Sequence, residues 1–263
     1  MPRTPASQVR QLRVQLVART EFLPPADVPW STDAEGGQAL AEFAGRACYQ
    51  SWSKPRPSTA TNAAFLRHVL QVGHLSVLEH GTATLYLRGV SRTVAHEVLR
   101  HRHFSTSELS PRHVPDDGAP VVLPAVVAQD PAAAELFLRA ATAARAAHDE
   151  LLAALEAGRS GGAAPAGPEL EAETLRHKQA RQAALALLPG TTETQLVVTG
   201  NYRAWRHFVA ARATDLVDLE VRALAVACLR ELRSAAPHVF SDFEVGELAD
   251  GTEVASSPYV TEA

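Results

Sequence analysis

The first regular pattern in the chain is LRVQLVA at residues 12–18, where apolar and polar positions alternate with the two-residue period of a half-buried strand. Between residues 36 and 49, apolar side chains recur at helical spacing instead (Ala39, Leu40, Phe43, Ala44, Ala47). After the WSKPRP loop, Ser58 or Thr59 is placed to cap a helix that runs to Val69 and is closed by Gly73. A polar connector, GHLSVLEH, leads into the strand ATLYLRGV, whose alternation sets Thr84, Tyr86 and Arg88 on one face. Ser91 is a suitable cap for a helix over 92–101. Past a loop rich in Pro, Asp and Gly at 115–120, VVLPAVV reads as a short strand. Two long helices follow, an alanine-rich one over 131–155 and another over 170–188. AGRSGGAAPAGPE joins them, and Pro189-Gly190 stops the second. A strand over 193–199 ends at Gly200-Asn201, and a helix carrying Arg203, Arg206, His207 and Arg212 comes next. One more amphipathic helix is predicted over 216–234. Few strands and long helices predict an α+β fold with helices packed on a small sheet.

Composition narrows the picture. Of 263 residues, 46% are hydrophobic and 21% charged, which is enough apolar material for a substantial core. With 25 Lys and Arg against 29 Asp and Glu, the formal net charge is −4, so the overall field does not attract nucleic acid or an anionic membrane. Any anion site is therefore a local concentration of cations. Cys48 and Cys228 form no CxxC and no zinc spacing, usage that suits a reducing cytoplasm. Arg3, Arg10, Arg13 and Arg19 interrupt the N-terminal apolar runs, and no stretch reaches 18 consecutive apolar residues. Neither a secretory signal nor a membrane span is expected, and the predicted location is cytoplasmic.

The local concentration of cations is RHRHFSTSELSPRH, residues 100–113, with three arginines, three histidines and one acid. Arginine forks bind phosphate oxygens bidentately and the serines add neutral donors, so this composition suits a phosphorylated small molecule or cofactor. The plain alternative is a solvated helix end whose cations complement the macrodipole. Glu97 and His96 stand three and four residues before Arg100, which lets one helix face carry acid, base and cation together. HEVLRH resembles a zinc-protease helix, but His96 and His101 are five apart, roughly 140° around the helix, so no metal site is expected. Ser110 has no dedicated base arranged with it, so it reads as a hydrogen-bonding group rather than a nucleophile. Arg203 and His207 share a helix face, while Arg212 falls about 180° away, as if one helix served two sites or two subunits.

Arg100-His101-Arg102, seven residues and then Ser110, followed by Arg112, resembles the signature of the flavin-dependent thymidylate synthase (ThyX) family. EFAGRACYQSWSKP, GHLSVLEH, TGNYRAWRHF and VFSDFE extend the resemblance over nearly the whole chain. The resemblance implies a single ThyX-like catalytic domain spanning 1–263, with 1–11 and 251–263 as flexible tails. It further implies long helices on a small mixed or antiparallel sheet, and a homotetramer with shared active sites. FAD is the implied cofactor, with contacts at Ser76, Arg100, His101, Arg102, Glu108, Asn201, Arg203 and His207. Uracil-nucleotide contacts are implied at Glu97, Arg100, Glu108, Ser110 and Arg112. Arg212 matches the arginine that stabilises negative charge on the uracil ring, and is the implied catalytic residue. Methylenetetrahydrofolate and NADPH are the implied co-substrates; no nucleic-acid partner is implied.

Four positions depart from the family pattern. Leu185 stands where most members have a phosphate-binding arginine, and Arg181, one helical turn earlier, is the expected substitute. Leu216 replaces a usual histidine, His113 a usual tyrosine, and Glu108 a usual glutamine. Losing a charged phosphate partner costs about 1.5–3 kcal/mol when nothing replaces it. These departures point to the branch of the family that methylates UMP, alone or with dUMP, for peptidyl-nucleoside antibiotics. An ordinary dUMP-specific thymidylate synthase and a catalytically retired nucleotide- or RNA-binding module are the alternatives.

Overall fold

The computed structural model describes residues 9–54, 56–110, 120–157 and 168–260. In chain order these form β1 (Arg13–Arg19), α1 (Gly36–Tyr49), α2 (Asn62–Gln71), β2 (Thr82–Ser91), α3 (Arg92–Leu99), β3 (Ser105–Glu108), α4 (Ala125–Ala128), α5 (Pro131–Ala157), α6 (Pro168–Ala184), β4 (Glu193–Asn201), α7 (Tyr202–Arg212), α8 (Leu219–Ala235), β5 (Glu244–Glu247) and β6 (Glu253–Ser256). The elements make an α+β chain whose contacts gather in two compact units interleaved along the sequence. The larger takes residues 12–88, 94–107 and 195–263, and the smaller 1–11, 89–93 and 108–194, each as far as described.

The larger unit holds most of a four-stranded sheet of order β1-β2-β4-β3, with β1 antiparallel to β2. Alternation along β2 buries Ala83, Leu85 and Leu87 and leaves Thr84, Tyr86 and Arg88 half-buried, as the pattern predicts. Leu196 and Val198 of β4 join the same core. On the polar face, Thr84 and Thr199 hydroxyls meet at 2.9 Å, and the Tyr86 hydroxyl donates to Gln195. Trp205 and Phe208 of α7 and Leu224, Leu229 and Leu232 of α8 fill the interior. Each such side chain contributes about 1.5–3 kcal/mol by leaving water. The Trp205 indole N–H is not stranded there, because it donates to the Ala83 carbonyl at 3.0 Å.

Tyr202 begins α7, and Gly37 and Gly81 make room for its ring. A Cβ on either would lie 2.5 Å or less from a Tyr202 atom. Burial pushes the Tyr202 hydroxyl up to about 12, and the oxygen has no hydrogen-bond partner among the described residues.

Helix α1 departs from its apolar pattern. Its buried face is Gly37, Gln38, Ala39, Ala41, Glu42, Gly45 and Arg46, while Leu40, Phe43, Ala44 and Ala47 are only half-buried. Arg46 Nε donates to Glu42 at 2.7 Å, one helical turn away, and Asn62 and Thr32 donate to the other carboxylate oxygen at 2.9 and 2.7 Å. A buried ion pair of this kind needs every donor and acceptor matched, and an apolar-periodicity argument cannot see it.

Several boundaries move for local reasons. Helix α2 is capped by Thr61, whose side chain accepts the Ala64 N–H, and residues 57–59 form a separate 3-10 turn, so neither Ser58 nor Thr59 is the cap. VVLPAVV is not a strand. Val121 makes isolated bridges to Val9 and Thr192, and Pro124, which has no N–H to continue a ladder, precedes α4. The stretch expected as a flexible tail contains β6, which pairs with β5 and buries Ala255, so the tail reading is corrected for residues 253–256. In the smaller unit α5 packs along α6, and α6 tightens into a 3-10 turn at Leu185–Leu187. No helix of the described residues is long and apolar enough to cross a membrane.

Candidate active site

Helix α3 delivers the basic motif. After Leu99 the chain turns, with His101 N–H donating to Val98 and Phe104 N–H to His101, at 3.1 and 3.0 Å. Phe104 is the anchor of this cationic stretch. Its ring lies 4.4 Å from that of Trp205 and 5.6 Å from that of Phe208. A Cβ at Gly200 would meet Phe104 at 2.6 Å, so the small residue at the end of β4 is what lets the motif dock.

Arg212, the last residue of α7, donates from Nε to His101 Nε2 at 3.0 Å, and its Nη2 stands 3.6 Å from Glu97. Glu97 also takes Arg100 at 3.2 Å, so one carboxylate bridges two guanidinium groups. Burial, then the Arg212 charge, lowers His101 from 6.5 to about 4. The imidazole is therefore neutral at pH 7, accepting at Nε2 and carrying its proton on Nδ1. Arg212 remains a quarter exposed and has further N–H donors beyond the two used here. The result is a guanidinium held by a neutral acceptor and an acid while still open to a ligand.

Along α7, a cleft of about 640 Å³ is lined by Leu78, Glu79, His103, Asn201, Arg203, Arg206, His207 and Tyr259 with neighbouring aliphatic residues, and the His207 ring stands 6.0 Å from that of His101. Arg203 pairs with Glu79 at 2.6 Å, and the Asn201 side chain caps α7 by accepting the Ala204 N–H at 2.8 Å. Arg203 and Arg212 thus meet different partners, Glu79 for the one and His101 with Glu97 for the other, while His207, on the Arg203 face, adjoins His101. Arg206, grouped with them by sequence, has a different role. It is fully buried and grips Asp242 with both Nη groups at 2.6 and 2.7 Å.

The smaller unit has its own cleft of about 490 Å³, lined by Arg92, Glu108, Leu109, Ser110, Gln182, Leu185 and Ala186. Glu108 accepts from the Thr194 hydroxyl at 3.1 Å. Arg181 is not among the lining residues. The chain tightens into a 3-10 turn from Leu185, and Gln182, Leu185 and Ala186 are the residues of this stretch that line the cleft.

The expected site residues therefore fall into groups. Glu97, Arg100, His101 and Arg212 form one cluster, Asn201, Arg203 and His207 line the larger unit's cleft, and Glu108 and Ser110 line the smaller unit's. Ser76 and Arg102 are exposed, and Ser76 lies on the 3-10 turn (Leu75–Glu79) whose Leu78 and Glu79 reach the cleft. Arg112 and His113 lie outside the described residues. Leu216 is 90% exposed in the loop before α8, outside the helix expected to start there. Sequence reasoning missed Glu79, His103, Arg92 and Tyr259. Glu79 was legible as the acid of GHLSVLEH, whereas Tyr259 carried no signal at all.

Comparison with known proteins places this arrangement. The family model for thymidylate synthase complementing protein matches residues 31–238. A flavin-dependent thymidylate synthase of Mycobacterium sp. (strain JLS) is 61% identical over 257 residues, covering 98% of this chain and all of the relative. The enzyme of the same description from Mycobacterium avium (strain 104) is 56% identical over 257 residues, with the same coverage. A crystal structure of the UMP/dUMP methylase PolB from Streptomyces cacaoi, bound with 5-Br dUMP, shares the fold at a TM-score of 0.62 and 19% identity, over 89% of this chain and 95% of that one. With its basic motif, its Arg212 cluster and this identity along almost its full length, the chain belongs to the thymidylate synthase complementing protein family, the flavin-dependent thymidylate synthases.

Proposed function

We propose that the chain methylates carbon 5 of dUMP, with methylenetetrahydrofolate as one-carbon donor, FAD as bound flavin and NADPH as reductant. The observation that carries this reading is the Arg212 guanidinium, fixed by His101 and Glu97 with donors to spare. Carbon 5 of uracil is a weak nucleophile, and it becomes a better one when the ring carries electron density on its carbonyl oxygens and imide nitrogen. A permanently charged, pre-oriented guanidinium beside those atoms favours that electron-rich form without reorganising. Glu97 and the neutral His101 act on Arg212 rather than on the substrate: they hold its direction while adding only one negative charge between two arginines.

The donor set suits a flavin nucleotide. The cleft beside α7 has Arg203 and His207 for phosphate oxygens and His103 as a further donor. When bound and reduced, the flavin supplies the hydride that converts the transferred methylene to a methyl group. The working form is a homotetramer with sites shared between subunits, consistent with one helix sending Arg203 and Arg212 to separate partners. The location is cytoplasmic, and the partners are small molecules and further copies of the chain.

Leu185 motivates a second reading through likeness to the divergent branch of the family, since UMP and dUMP carry the same 5′-phosphate. The smaller unit's cleft is lined by Arg92 and the acid Glu108 together with an apolar Leu185 and Ala186, a poor cradle for a dianionic phosphate. UMP or another uracil nucleotide, used in antibiotic biosynthesis, is the substrate on that reading. Identities of 56–61% to thymidylate synthases weigh against it and for dUMP. A competition assay with flavin-loaded protein, methylenetetrahydrofolate and NADPH decides the matter. Preferential release of methylated product from dUMP is the expected result. Preference for UMP assigns the second reading, and protein that takes up no FAD sinks both.

A further inference from the structure

The last described residues return to the cleft beside α7. Ala255 of β6 donates its N–H to the carbonyl of Ala213, directly after α7, at 2.8 Å, and Glu253 pairs with Arg230 of α8. Beyond β6, the Ser257 hydroxyl donates to Asp242, the same carboxylate that Arg206 grips. Burial pushes the Asp242 carboxyl up, but the hydrogen bonds and charge of Arg206 outweigh it and hold the group below its ordinary value, so the fastening is ionic at neutral pH. Ser257 Oγ also accepts the Tyr259 N–H at 3.0 Å, which fixes the direction the chain takes next. That direction makes Tyr259 and Val260 one wall of the cleft.

Tyr259 is the one benzenoid ring among the described lining residues; the others are cationic, imidazole, acidic, amide or aliphatic. A flat, amphipathic, half-buried ring lining the same cleft as guanidinium and imidazole donors suits a planar heterocycle attached to phosphate. We propose that Tyr259 is a contact residue for the flavin nucleotide, stacking on one of its planar rings while Arg203 and His207 take its phosphate oxygens. The inference rests on the flavin reading above and adds the C-terminal strap, residues 257–260, to the residues that hold the cofactor. Arg206 and Asp242 position this wall without touching the ligand.

The test is titration of flavin-free protein with FAD, followed by flavin fluorescence and the visible circular dichroism band. Tyr259→Ala is expected to weaken FAD binding about tenfold and to raise the fluorescence of the bound flavin, since the stacked phenol quenches it. Tyr259→Phe keeps the ring and is expected to bind within about twofold of the unsubstituted chain. A purely structural role would lower the thermal midpoint of flavin-free Tyr259→Ala while leaving bound-flavin fluorescence unchanged, and that pattern overturns the proposal. Equal FAD affinity for the Ala variant and the unsubstituted chain overturns it too, with the flavin reading intact. Failure of the unsubstituted chain to bind FAD removes the flavin reading and this inference together.

Discussion

Arg46 and Arg212 are both arginines paired with a glutamate in the larger unit, and they are built for opposite purposes. Arg46 is sealed. Its Nε meets Glu42, its Nη groups reach the carbonyls of Ser51 and Thr59 at 3.4 and 2.6 Å, and its guanidinium lies 4.6 Å from the Phe65 ring centroid. Glu42 is equally occupied, and the network continues through Asn62 to His238. Arg212 makes one hydrogen bond and one longer ion pair, and keeps a quarter of its side-chain surface. A closed polar network locks helices together, because breaking it strands a charge away from water. An open one keeps its capacity for a ligand. The count of unused donors separates structure from function here better than charge or residue type does.

The largest expected effect follows from opening the closed network. Arg46→Ala leaves Glu42 buried without a cation and is expected to cost about 3–5 kcal/mol, read from denaturant unfolding. A loss below 1 kcal/mol would mean that water reaches Glu42 and that the network is not sealed. Arg212→Ala is the counterpart. Methylation should fall by roughly 100- to 1,000-fold with folding and FAD affinity nearly unchanged, because Glu97 retains Arg100. Turnover within a few-fold of the unsubstituted enzyme would take Arg212 out of the chemistry.

Acid sharpens the contrast through His101. Because its folded value, about 4, lies below the ordinary 6.5, the unfolded chain takes up this proton first as the pH falls. The stabilisation it represents is full above about pH 6.5 and is lost as the pH drops toward 4, when a second cation is forced against Arg212. Thermal midpoints measured across that window should fall, and His101→Gln should flatten part of the slope. Parallel curves for the two proteins would show that other groups drive the transition. The smallest effect is expected at Tyr202, whose buried hydroxyl has no partner among the described residues, whereas Arg46 bonds through all three guanidinium nitrogens. Tyr202→Phe should be neutral or stabilise by up to about 1 kcal/mol. A marked loss of stability would reveal a hidden partner for that oxygen.

Strands β1, β2 and β4 and the helices α5 and α7 were legible because period-two and period-3.6 patterns are written directly in their residues, and α1 was legible as a helix though not in the face it buries. Legibility failed where a single polar contact decides. Thr61 wins the cap of α2 over Ser58 and Thr59 by reaching Ala64, and Pro124 turns an apparent strand into the approach to a short helix. At the site, the motif 100–112 and the helix bearing Arg212 could be found from residue types and spacing. What spacing could not reveal is that Arg206 is committed to Asp242, that Leu185 rather than Arg181 faces the smaller cleft, or that Tyr259 comes back across more than fifty residues to His207's cleft. Those are tertiary facts, set by pairings between segments far apart in the chain.

The ring of Tyr202, held between Gly37 and Gly81, joins segments separated by well over a hundred residues. During synthesis this clamp cannot close until residue 202 has left the ribosome, however early α1 and β2 take shape. Loop-closure entropy must be met before the contact gives anything back, so this contact is expected to form later than the local helices. Until then Gly37 and Gly81 have no ring between them, so a chain stopped short of residue 202 would lack the side chain that ties α1 to the start of β2.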